Sequence, residues 1–118
     1  TILIVDDHSV NRNIAKLMLR GTDWTILEAT NGAEALAAIA RQAPDVVLLD
    51  ISMPDLSGEE VCHRIRTDEQ HENLRVIAYT AHASQEEHQR FIAAGFDAVL
   101  TKPINKADFL AELENAFR

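Results

Sequence analysis

Cysteine is nearly absent: Cys62 stands alone, so the chain can form no internal disulfide. A reducing cytoplasm is the simplest home for such a composition. Basic residues are few, with 11 Lys and Arg against 19 Asp and Glu. The resulting formal charge of −8 has the wrong sign for gripping a nucleic-acid backbone. A cation site or a basic partner suits that balance, although acidity also serves solubility alone. Long apolar runs are missing too. Nothing approaches the ~20 residues of a membrane span, and the first residues carry no signal-peptide pattern. There is no internal repeat, no glycine-rich phosphate cradle and no nucleotide fingerprint. Thr1 lies almost inside the first apolar stretch, as in a domain cut from a longer protein, and processing would look the same.

What is present describes one globular domain spanning 1–118, with 47% apolar and 25% charged residues and enough chain for a real core. Apolar stretches recur at "ILIV" (2–5), "WTILEA" (24–29), "VVLL" (46–49), "VIAY" (76–79) and "AVL" (98–100). Helical periodicity fills the intervals. Ser57-x-x-Glu60 and Ser84-x-x-Glu87 read as capping boxes, and Asn105 caps the last helix with Asp108 three residues on. Gly95 ends the helix that carries "FIAA". Phe109, Leu110, Leu113 and Phe117 form a buried helix face, with Glu112 and Glu114 turned outward. Cys62, in "EEVCHRIR", reads as a small apolar helix residue, and "TDEQHEN" (67–73) as a connecting loop. Strands that are apolar throughout, alternating with helices, imply a parallel sheet covered on both faces. The expected fold is α/β: a doubly wound, flavodoxin-like sheet of five strands in the order 2-1-3-4-5.

The strand ends carry the chemistry. Strand one ends in Asp6-Asp7, strand three in Asp50, strand four in Thr80 and strand five in Thr101-Lys102-Pro103, whereas Thr30-Asn31-Gly32 after strand two holds no ionisable group. Open α/β sheets bind ligands beyond the carboxyl ends of their strands, where the winding reverses, here between strands one and three. Neighbouring strands lie ~4.8 Å apart, which brings three carboxylates within reach of one ion. A divalent cation and one ammonium would nearly neutralise them. Magnesium fits a hard, oxygen-only donor set; zinc does not, because the histidines are scattered and no Cys pairs with them. His63, His71 and His88 read as solvated surface residues; His8 and His82 flank the site. Taken singly, the acids read otherwise: Asp6 and Asp7 could simply cap the first helix. Lys102 pairs with the acids and is a ligand for a phosphoryl oxygen, Pro103 fixes the turn with either isomer open before it, Thr80 offers a hydroxyl, and Ala81 leaves room for approach. A carboxylate beside a divalent cation can attack phosphorus, giving an acyl phosphate on Asp50. With no general base for a nucleophilic water, the domain reads as a receiver of a phosphoryl group.

The stretches "ILIVDDH", "VVLLDISMPDLSG", "VIAYTAHA" and "AVLTKP" closely resemble the receiver domains of two-component response regulators, over essentially the whole chain from Ile2 to about Phe117. The resemblance implies a domain that catalyses its own phosphorylation on Asp50 from a phosphohistidine of a histidine kinase or histidine phosphotransfer domain, and is not otherwise an enzyme. It implies Mg²⁺ held by Asp7, Asp50 and the main-chain carbonyl of Ser52, with Asp6 acting through water. Lys102 would bind the phosphoryl oxygen and Thr80 would move to meet it, controlling a partner or an attached kinase or output domain. Ser52 and His82 would tune the lifetime of the phosphate. "SVNRNIAKLML" is similar to receivers attached to hybrid histidine kinases. One position departs: where the family usually carries Tyr or Phe, this chain has Val99. Neither nucleic acid nor membrane is an expected partner of this domain. Rival readings are a haloacid-dehalogenase-like phosphohydrolase, which wants Asp-x-Asp after its first strand; an FMN carrier, which needs aromatic rings where Trp24 and Tyr79 fall in strands; and a degenerate receiver kept for docking.

Overall fold

The computed structural model describes residues 1–53, 56–71, 73–81 and 83–115. His82 and Phe117, both assigned roles above, lie outside the described residues. Strands and helices alternate: β1 (Ile2–Val5), α1 (Ser9–Met18), β2 (Ile26–Ala29), α2 (Gly32–Arg41), β3 (Val46–Asp50), α3 (Gly58–Thr67), β4 (Arg75–Thr80), α4 (Gln85–Ala94), β5 (Ala98–Thr101) and α5 (Lys106–Asn115). The sheet is parallel throughout and its order is β2-β1-β3-β4-β5, as expected from the apolar stretches. Every residue of β1 and β3 is buried, because both strands are covered on both faces. Alternation along the strands sends Leu3, Val5, Val47 and Leu49 towards α2, α3 and α4, where they meet Ile39, Val61 and Phe91. Ile2, Ile4, Leu48 and Tyr79 face α1 and α5 and meet Ala15, Phe109 and Leu113. Each large side chain so buried contributes about 1.5–3 kcal/mol. Among the described residues, no helix is long and apolar enough to cross a membrane.

Helix starts follow the local chemistry. Ser57 Oγ accepts from the Glu60 N–H, Ser84 Oγ from Glu87 and Asn105 Oδ1 from Asp108. Glu60 turns to Arg64 one turn on, at 3.1 Å. Asn31, at the strand end that carries no ionisable group, is a working cap: it accepts from the Glu34 N–H while Glu34 accepts from Thr30. Gly95 ends α4 at φ 113°, a left-handed conformation that favours glycine.

Three expectations are corrected. β2 begins at Ile26, because Thr22 turns back to the Leu19 carbonyl and the Trp24 N–H follows it; Trp24 precedes the strand, half-buried. Thr67 belongs to α3, so the connecting loop starts at Asp68. Glu112 is half-buried, because the Arg75 guanidinium at the start of β4 draws its carboxylate in to 2.6 Å.

Gly58 presses the start of α3 against the tip of β3. A Cβ there would stand 2.8 Å from the Asp50 carbonyl oxygen and 2.9 Å from Ile51 Cα, both main-chain atoms. Gly58→Ala is therefore expected to cost about 1–3 kcal/mol, read as a lower urea midpoint, with an unchanged midpoint counting against this packing.

Candidate functional site

The register brings the strand tips to one edge: Val5 pairs with Leu49, Asp50 with Tyr79 and Thr80 with Thr101. Asp6 follows β1 and is held in sheet alignment by its N–H, which donates to the Ala29 carbonyl at 3.1 Å. Asp6 and Asp50 are only 1% and 2% exposed, a placement that carboxylates tolerate when paired. Lys102 supplies the pairing: its Nζ lies 3.3 Å from Asp50 Oδ1 and 3.7 Å from Asp6 Oδ2. The Lys102 N–H donates to the Thr80 carbonyl at 2.7 Å, which fixes the root of the lysine on the end of β4. The bond from Lys102 to Pro103 is cis.

Asp50 Oδ1 also accepts from the Ser52 N–H at 3.1 Å. Burial nevertheless raises the Asp50 pKa above the ordinary carboxylate value. The Ser52 bond opposes it, the Asp6 charge adds to it and Lys102 offsets it in part. Asp6 Oδ1 accepts from the His8 N–H, while the buried Oδ2 has no hydrogen-bond partner. Asp7 is exposed, with its Oδ1 3.0 Å from His8 Nδ1. The N-cap of α1 is His8 without a side-chain bond, so neither acid caps that helix. Arg12, which no sequence signal marks, reaches back to donate to the Asp6 carbonyl at 2.8 Å and to Glu28 at 3.0 Å, holding the turn between β1 and α1.

The sequence-predicted residues thus fall into two touching groups. Asp6, Asp50 and Lys102 form the buried one. Asp7, His8 and Lys102 line an open depression of about 470 Å³ beside it. Ligand atoms of Asp6, Asp7 and His8 lie within 4.8 Å of one another, and Asp50 stands outside that group, beside the Lys102 ammonium. Thr80 is buried at the tip of β4, Ser52, Ala81 and Pro103 are exposed, and Val99 is half-buried against the core on the α2–α4 side. Cys62 is buried in α3 and burial pushes its thiol up to about 11, as suits a small apolar helix residue. Trp24 lies with Thr1 at the amino ends of the strands, remote from the acids.

Comparison with known proteins agrees with this geometry. The model of the response regulator receiver domain matches residues 2–114. The chain is 36% identical over 118 residues to the probable transcriptional regulatory protein TcrX of Mycobacterium tuberculosis, covering 100% of this chain and 50% of TcrX. It is 37% identical over 103 residues to the sensor histidine kinase RcsC of Salmonella typhimurium, covering 87% of this chain and 11% of RcsC. The chain therefore spans half or less of the length of these two relatives. Among solved structures, the receiver domain of a Pseudomonas aeruginosa sensor histidine kinase, with a magnesium ion coordinated in its active site cleft, matches with a TM-score of 0.87. The two are 31% identical, over 97% of this chain and 93% of that one. With a family model matched over nearly its whole length and a strand order to suit, this chain belongs to the receiver domains of two-component response regulators.

Proposed function

We propose that Asp50 accepts a phosphoryl group from a phosphohistidine on a histidine kinase or histidine phosphotransfer domain, and that the new charge at the tip of β3 sets the conformation read by a partner or attached domain. One observation carries the reading: a carboxylate 2% exposed at a strand tip, with a single ammonium 3.3 Å away and a second buried carboxylate beside that ammonium. Such a charge excess inside the fold is costly unless it serves chemistry. An Asp50 oxygen forms the P–O bond as the P–N bond to the donor imidazole breaks, and Lys102 offsets charge on the transferring oxygens.

The donor set fits magnesium: the carboxylates of Asp6, Asp7 and Asp50 and the Ser52 carbonyl are hard oxygens, and the buried Asp6 Oδ2 lacks a hydrogen-bond partner. The ion, when bound, would supply Lewis-acid polarisation of the phosphoryl oxygens. Thr80 is placed to report the change, because its carbonyl already holds the Lys102 N–H and its strand pairs with β5. With Val99 half-buried against the core where an aromatic ring is usual, the readout runs through Thr80 and the α4–β5–α5 surface. An apolar stripe on α1, formed by the exposed Val10, Ile14 and Leu17, adjoins the depression and suits a helical donor.

Incubated with a small phosphodonor and Mg²⁺, the protein is expected to gain one phosphoryl group by intact mass, to lose it to hydroxylamine, and to gain none in EDTA. Sustained turnover of a free phosphomonoester would sink this reading in favour of a hydrolase.

A further inference from the structure

Lysine is a poor choice for fixed positioning, since its ammonium rides on a flexible four-carbon stem. Lys102 must nonetheless serve two buried carboxylates at once. The residue beneath it is Tyr79, which points to the face opposite Thr80, because side chains alternate along β4. Tyr79 is 3% exposed, and Lys102 Nζ lies 4.9 Å from the centroid of its ring. One side chain thus meets Lys102 at its charged end.

A leucine would fill the same place in the core but would offer the ammonium no aromatic face. The negative face of an aromatic ring attracts a desolvated cation, and the attraction narrows the rotamers the ammonium can occupy. Burial, then the Asp6 and Asp50 charges, push the phenol's ionisation above its ordinary value, so the hydroxyl stays protonated beside the acids.

We infer that Tyr79 is a positioning residue for phosphoryl transfer: its ring holds the Lys102 ammonium between Asp50 and Asp6. The inference deepens the proposed role of Asp50 and rests on it. Two measurements test it. In the wild-type protein, the ring current should move the Lys102 ε-methylene proton resonances upfield, with assignment by their loss in Lys102→Arg. The shift should survive in Tyr79→Phe and vanish in Tyr79→Leu. In labelling with a small phosphodonor at saturating Mg²⁺, Tyr79→Leu and Tyr79→Met should be roughly two- to thirtyfold slower than wild type, with Tyr79→Phe close to it. The inference is overturned by an unshifted Lys102 in the wild type, by Leu and Met variants that label at the wild-type rate, or by a Phe variant as slow as Leu. A wild-type protein that takes no label defeats the Asp50 reading instead, and the proton shift still decides the contact.

Discussion

Asp50→Asn is expected to take no phosphoryl label and yet to melt higher than the wild type. Loss of label follows because an amide oxygen cannot replace the attacking carboxylate. The gain in stability follows from the environment. Burial is the largest influence on the Asp50 carboxyl, and the net result is a raised pKa despite the Ser52 N–H and Lys102. The folded protein therefore binds that proton more tightly than the unfolded chain. Below the unfolded pKa the group is neutral in both states and carries no penalty. As pH rises through the folded pKa, the ionised form pays for its burial in full. Asn avoids this cost and can still accept from Ser52, while Lys102 keeps Asp6 as its partner. The advantage should be present near neutrality, read as a higher melting temperature, and should fade as pH falls through the carboxylate range. Magnesium at a hundred times its Kd should raise wild-type stability by about 2.7 kcal/mol and the variant by much less. Melting curves from pH 4 to 8, with and without Mg²⁺, read all of this; a variant that melts lower at neutral pH contradicts the account.

Lys102→Met has the opposite sign. Removing the ammonium leaves Asp6 and Asp50 buried without their shared cation. Stripping one partner from a buried pair costs about 3–5 kcal/mol. Lys102 is 23% exposed in its side chain, which places this site at the lower end. Lys102 is also one of the influences that lower the Asp50 pKa, so its loss pushes that pKa higher still. The deficit should be largest at neutral pH, should shrink in acid as carboxyl protonation relieves the repulsion, and should be partly restored by Mg²⁺. Labelling should slow by about 10²-fold or more, the effect of removing one preorganised group from developing oxyanion charge. Urea midpoints at pH 5 and pH 7 and intact-mass time courses measure both. Equal destabilisation at the two pH values would mean the lysine acts by packing alone.

Much of the architecture was legible because it is local. Four apolar residues at 2–5 and four at 46–49, each run followed by an acid, can only be covered strands with a charged tip. The starts of α3, α4 and α5 rest on bonds spanning three residues, so Ser57, Ser84 and Asn105 could be read in place. Where neighbours compete, local reading failed. Trp24 looks like a strand residue until the Thr22 turn is seen, and the bland ending of β2 conceals the Asn31 cap.

By itself, the sequence determined that Asp6, Asp7, Asp50, Thr80 and Lys102 stand at the carboxyl edge of a parallel sheet, since strand direction and winding place every tip on one side. Which of them touch was decided only by tertiary packing. Lys102 joins Asp50 and Asp6 across the sheet, Asp7 turns to His8, Arg12 clasps the Asp6 main chain, and Tyr79 lies under the ammonium. Those contacts depend on distances of a few ångströms between segments far apart in the chain, and on side-chain rotamers selected by burial and charge; apolar periodicity carries no record of either.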